Sequence, residues 1–142
     1  MLRPDFVVLG IDVPEVRVVV EVRARAFDLS KTEQELKEYM RAVSSPLGLL
    51  VTPRWTRVYE DTYRDEPDRI CTIAEADTAA LIRMRGPVED ERQLEDAVRS
   101  WLDYMVRHPG VRLHRKDVAL TRVEDYLVPQ VVQARVAVTG PR

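Results

Sequence analysis

Arg3-Pro4-Asp5-Phe6-Val7-Val8-Leu9-Gly10 and, after a short gap, Val16-Arg17-Val18-Val19-Val20-Glu21-Val22-Arg23 are the stretches on which the fold turns. Phe6 to Leu9 is short, β-branched in its middle and closed by a glycine, the pattern of a strand that ends in a turn. The second run alternates. Val16, Val18, Val20, Val22 and Ala24 take one face and Arg17, Glu21, Arg23 and Arg25 the other, as the two-residue period of a strand requires. Val19 interrupts the polar face and makes Val18 to Val20 the most buried part, as in a central strand covered on both sides. Gly10 to Pro14 is short enough for a hairpin, so the strands are expected to pair antiparallel and to bring Asp5 beside Glu21 and Arg23. Two carboxylates and a cation would then converge. Such a cluster can hold Mg²⁺ through its oxygens, with waters and a phosphate completing the shell and the cation orienting a water or holding phosphoryl charge.

Working outward, Ser30-Lys31-Thr32-Glu33 matches a capping box and predicts a helix start. Leu36, Tyr39, Met40 and Val43 fall at the spacing of one apolar face, and Ser44-Ser45-Pro46 stops the helix. Leu47 to Val51 reads as a buried strand ended by Pro53, with Trp55 to Tyr59 returning. The acidic stretch Glu60 to Arg69 reads as a solvated loop. Ile70 to Ile73 is expected as a short strand and Asp77 to Arg83 as a helical turn. Pro87 is expected in the first turn of a helix running to about Arg107, with Leu94, Val98, Trp101, Leu102 and Met105 on its buried stripe, ended by Pro109-Gly110. Of the apolar runs Val118 to Val123 and Val131 to Val138, the second has more of a strand's character. Trp55 and Trp101 are expected as core anchors, Cys71 as a buried structural thiol, and His108 and His114 at the surface.

The chain has 142 residues, 45% hydrophobic and 32% charged, which suits a single domain over 1–142 with one core. No run is long and apolar enough for a membrane helix, and Met1 to Asp5 lacks a signal-peptide core, so a soluble, cytoplasmic protein without a membrane partner is expected. One cysteine excludes an internal disulfide and a thiolate metal cluster. A net charge of −2 argues against holding nucleic acid by bulk electrostatics. No P-loop, Gly-x-Gly-x-x-Gly or nucleophile elbow is present, which removes support for nucleotide-driven motors, Rossmann dehydrogenases and α/β-hydrolases.

Pro4-Asp5, then Glu21-Val22-Arg23, then a helix bearing Gln34 and Tyr39, then Pro46-Leu47-Gly48-Leu49-Leu50-Val51 stand in an order that resembles the PD-(D/E)XK (restriction endonuclease-like) nuclease superfamily. Within it, the chain is similar to the nuclease domains at the start of type I restriction motor subunits. The resemblance covers roughly residues 3 to 59, and Leu127-Val128-Pro129 to the end also resembles the tails of small bacterial members. It implies an α/β fold with a mixed β-sheet flanked by helices, and metal-dependent hydrolysis of DNA phosphodiesters. Asp5 and Glu21 would be the ligands of Mg²⁺, for which Mn²⁺ could substitute, and Arg23 would stand where the family usually has lysine. Gln34 and Tyr39 would support the site. A guanidinium keeps its proton, so Arg23 can hold a phosphate but cannot readily act as a base. The family also places a helix and a strand ahead of Pro-Asp, whereas three residues precede Pro4 here. A preceding segment, a partner or the C-terminal segment must supply that layer, and an open edge would favour a homo-oligomer. The alternative reading is a catalytically inactive scaffold of the same fold, acting as a binding or assembly subunit.

Overall fold

The computed structural model describes residues 2–25, 28–65, 69–84, 88 and 90–139. Among these, six strands are formed: β1 (Phe6–Gly10), β2 (Val16–Val22), β3 (Leu47–Val51), β4 (Trp55–Asp61), β5 (Ile70–Asp77) and β6 (Ala134–Val138). They join one mixed sheet in the order β5-β4-β3-β2-β1-β6. The helices are α1 (Leu29–Val43), the single turn α2 (Thr78–Leu81), α3 (Glu91–Arg107) and α4 (Val118–Leu127), and a 3-10 turn at Val128–Gln130 leads into β6. The expected class, a mixed α/β sheet flanked by helices, is the one observed.

β1 and β2 pair antiparallel, as the short turn between them requires, and α1 carries the chain from β2 across to β3, which lies parallel to β2. Valines 18, 19 and 20 are fully buried because both faces of the sheet are covered. Val18, Val20 and Val22 face the larger core under α3 and α4, where Leu94, Val98, Trp101, Leu102 and Met105 form the buried stripe that their spacing predicts. Val19 faces α1 with Leu36, Met40, Leu50 and Tyr59. Gly48 lets α1 lie close to β3: a Cβ there would come within 2.5 Å of Met40 Sδ.

Several expectations are corrected. Val16 packs with Val19 rather than with Val18, because a bulge pairs Val8 with Val18 but Leu9 with Val16, and one extra residue reverses the alternation. α1 is capped by the Asp28 side chain, which accepts from Lys31 N; Ser30 is already helical, and Glu33 turns to Tyr59 and Arg57 instead of back to the cap. Glu60 and Asp61 belong to β4, and Asp61 is 3% exposed and held bidentately by Arg69 at 3.0 Å, so this start of the acidic stretch is not solvated loop. β5 runs on to Asp77, past its expected end, because it pairs with the whole of β4. α3 begins at Glu91 after the Asp90 cap, later than expected; Pro87 lies outside the described residues. Of the two apolar runs near the end, the later one supplies β6 as its character suggested, from Ala134, and Val118 to Val123 is part of α4. Cys71 and Trp55 are only half-buried, the latter with the Arg57 guanidinium 3.9 Å from its ring centre. His108 is exposed as expected, but His114 is half-buried, its Nε2 2.9 Å from the Leu81 carbonyl.

The edge of β1 away from β2 is covered by a strand from far along the chain. β6 pairs antiparallel with β1, from Phe6 opposite Val138 to Gly10 opposite Ala134, and α3 packs on β2 and β6. Arg17 ties this arrangement down from the bulge, its Nη1 donating to the carbonyls of Val132 and Gln130.

Candidate active site

The C-terminal end of β2 positions the candidate residues. Alternation sends Glu21 to the α1 side of the sheet with Val19, and pairing with both β1 and β3 leaves its side chain 1% exposed. Asp5 arrives from the start of β1. Its amide donates to Val20 O at 3.0 Å, its carbonyl accepts from Thr139 N at 3.2 Å, and its Oδ2 accepts from Val22 N at 2.8 Å. The side chain is thus aimed across β2 by contacts on three sides. Arg23 continues the parallel pairing through its amide to Val51 O at 2.9 Å and folds its guanidinium back, Nη2 lying 2.6 Å from Glu21 Oε2. Glu91, at the first turn of α3, accepts from Ala24 N at 3.2 Å and adds a further negative charge.

The electrostatics follow from burial. Desolvation pushes the Glu21 carboxyl up from an ordinary 4.5 to about 9, reinforced by a hydrogen bond and charge repulsion from Asp5 and by Glu91, with Arg23 opposing. No N–H is aligned on either Glu21 oxygen, so the Arg23 contact at Oε2 is an ion pair without hydrogen-bond geometry, and the carboxyl's proton is shared toward Asp5. The structure therefore holds a buried carboxyl, ion-paired to Arg23 through Oε2, beside a second carboxylate. Such a pair must either share a proton or meet a cation.

Asp5, Glu21 and Arg23, expected together, are together. Gln34 and Tyr39 are not part of this constellation. Gln34 is exposed on α1, Tyr39 is half-buried against the α1-side core, and neither hydrogen-bonds or ion-pairs with Asp5, Glu21 or Arg23. Sequence reasoning missed Glu91, which lies 70 residues from Glu21 and belongs to a helix whose docking on β2 has no local signal. Among the described residues no group of three or more His, Cys, Asp or Glu has the arrangement to hold a metal ion, so the centre is a carboxylate pair with an adjoining cation.

No protein-family model, curated protein or solved structure matches this chain.

The pair fits a hard divalent cation in its chemistry. Its donors are carboxylate oxygens, those of Glu21 accept no aligned N–H, and Mg²⁺ commonly uses one or two carboxylates and fills its remaining positions with water and phosphate oxygens. Among the described residues no helix is long and apolar enough to cross a membrane.

Proposed function

We propose that this chain is a PD-(D/E)XK-like, Mg²⁺-dependent phosphodiesterase acting on DNA. The observation that carries the reading is the convergence of Asp5 with the buried Glu21 carboxyl and the Arg23 guanidinium at the end of β2. In this reading Asp5 and Glu21 hold Mg²⁺ or Mn²⁺, which supplies an activated water and neutralises charge on the phosphoryl group. Asp5 is fixed by its Val22, Val20 and Thr139 hydrogen bonds, so the carboxylate needs little rearrangement to bind. Arg23, with its side chain 39% exposed, can exchange its contact with Glu21 for one with a phosphate oxygen, orienting the diester without acting as a base. A family that puts a helix and a strand ahead of Pro-Asp is compatible with this topology, in which β6 covers the free edge of β1 and α3 packs on β2 and β6.

Calorimetry with Mg²⁺ and Mn²⁺, paired with a DNA cleavage assay, tests the reading. Asp5→Ala and Glu21→Ala should each weaken metal binding at least about tenfold and abolish metal-dependent cutting, while Arg23→Lys should retain both. Absence of metal binding by the native chain at millimolar concentration would sink it. A second reading, an inactive scaffold of the same fold, is favoured by one feature: Arg23 already neutralises Glu21, and the residue usual for water activation is missing. Metal binding without cutting by either the native chain or Arg23→Lys would decide for that scaffold.

A further inference from the structure

β6 is the outermost strand on its side of the sheet, so one of its edges pairs with β1 and the other pairs with no strand among the described residues. Which backbone groups face which edge follows from the register. Ile11 N donates to Gln133 O at one end of the ladder and Thr139 N donates to Asp5 O at the other, so Arg135 and Ala137 between them turn their N–H and C=O toward β1. Ala134, Val136 and Val138 therefore turn theirs outward. Among the described residues no other segment takes these groups.

Such an edge is complementary to itself. When two copies meet antiparallel about a two-fold axis at Val136, each Val136 stands opposite its counterpart and each Ala134 opposite a Val138, and in all of these pairs the outward N–H groups meet outward C=O groups. Arg135, the one charged residue of β6, falls opposite the small Ala137 of the other copy, and the exposed Val138 is covered. The devices that keep edge strands apart are also missing here. β6 contains no proline, lysine or acidic residue, and its register on β1 runs without a bulge. The edge at the far side of the sheet has them: β5 is irregular opposite Val58 and Tyr59, bears the exposed carboxylates Glu75 and Asp77, and has α4 packed against it. Exposed apolar side chains continue the β6 edge at its start, where Ile11 and Val132 adjoin Gln133.

We propose that the free edge of β6 is a self-association surface, on which two copies of this chain join antiparallel about Val136 into one continuous sheet. Thr139 follows β6 directly and donates to the Asp5 carbonyl, so the pairing also steadies the segment behind the Asp5–Glu21 centre of each copy. The surface itself does not depend on the proposed reaction.

Light scattering on the full chain as it elutes from a sizing column measures its mass from micromolar to near-millimolar concentration. A dimer is expected. Val138→Lys, which places a charge on the edge of both copies at once, should weaken association at least about tenfold without loss of the folded state in a thermal melt. Thr72→Lys makes the same change at an exposed position of β5 and should leave the mass unchanged. The register is read independently by Val136→Cys in a Cys71→Ser background. Residues directly opposite in a hydrogen-bonded antiparallel pair have Cα atoms about 5.5 Å apart, within reach of a disulfide, so mild oxidation should give a covalent dimer, whereas Glu75→Cys in the same background should not. A native chain that stays monomeric at near-millimolar concentration overturns the proposal. So does a dimer that Val138→Lys leaves intact or Thr72→Lys dissolves, and so does a dimeric Val136→Cys chain that fails to cross-link. Should Val138→Lys unfold, the cross-link decides.

Discussion

Glu21 is the residue on which the proposed chemistry depends most, and its burial has a consequence for stability that can be read without any substrate. Its carboxyl is raised in the folded chain from 4.5 to about 9. A folded state that binds a proton more tightly than the unfolded chain is favoured at low pH: this contribution is complete below about pH 4.5 and is lost as pH rises toward 9. Glu21→Gln keeps the shape and removes the titration. In EDTA at pH 8 it should stabilise the chain by on the order of 1–2 kcal/mol, or roughly 3–7 °C. Thermal unfolding of both chains from pH 5 to 9 measures this; a native curve parallel to that of the variant would mean that Glu21 stays ionised. Asp61 behaves oppositely. Burial alone would raise its carboxyl, but hydrogen bonds from Arg69 and the Tyr63 amide and the charges of Arg69 and Arg41 outweigh that and hold it below the usual range, so its contribution is present at neutral pH and lost in acid. The juxtaposition of Asp5, Glu21 and Arg23 was legible because a period of two and a short turn fix which side chains share a face. The depth of burial of the Glu21 carboxyl was not, since β2 is buried by pairing with both β1 and β3.

At the scale of elements, α1 separates local signals from tertiary ones. Its apolar residues Leu36 and Met40 were legible from helical spacing and are buried as a pair. Its start was not, because Ser30-x-x-Glu33 satisfies the capping-box pattern while Asp28 stands just upstream with an equally good acceptor. The choice falls to Asp28 because Glu33 is drawn away to the Tyr59 hydroxyl at 2.5 Å, a contact across the sheet invisible to local reading. Asp28→Ala should therefore destabilise the chain by about 1 kcal/mol, and Ser30→Ala by only a few tenths. Urea midpoints measure the difference, and a larger effect at Ser30 would restore the capping box. The bulge at Val16 belongs to the same class of invisible feature. One inserted residue leaves composition and length unchanged, yet it moves Val16 to the other face and frees Arg17 to reach the segment before β6.

For the whole molecule, the decisive event is that the last strand completes the sheet beside the first. Composition and the βαβ-like passage from β2 to β3 made the α/β class legible, whereas the β1–β6 pairing joins segments from opposite ends of the chain and has no sequence signature beyond a modest apolar run. Removing residues 134–142 takes away β6 and exposes an edge of β1 together with part of the core under Ala134. This truncation should cost several kcal/mol, far more than any single substitution above, and should lower the unfolding temperature by more than about 10 °C. Circular dichroism melts check it. A truncated chain that melts within a few degrees of the native one would show that β6 is dispensable to the fold.

Thr139, just beyond β6, also donates to the Asp5 carbonyl. The backbone of Asp5 is thus set by a segment far along the chain, so loosening β6 from β1 would disturb the Asp5–Glu21 pair without altering either residue.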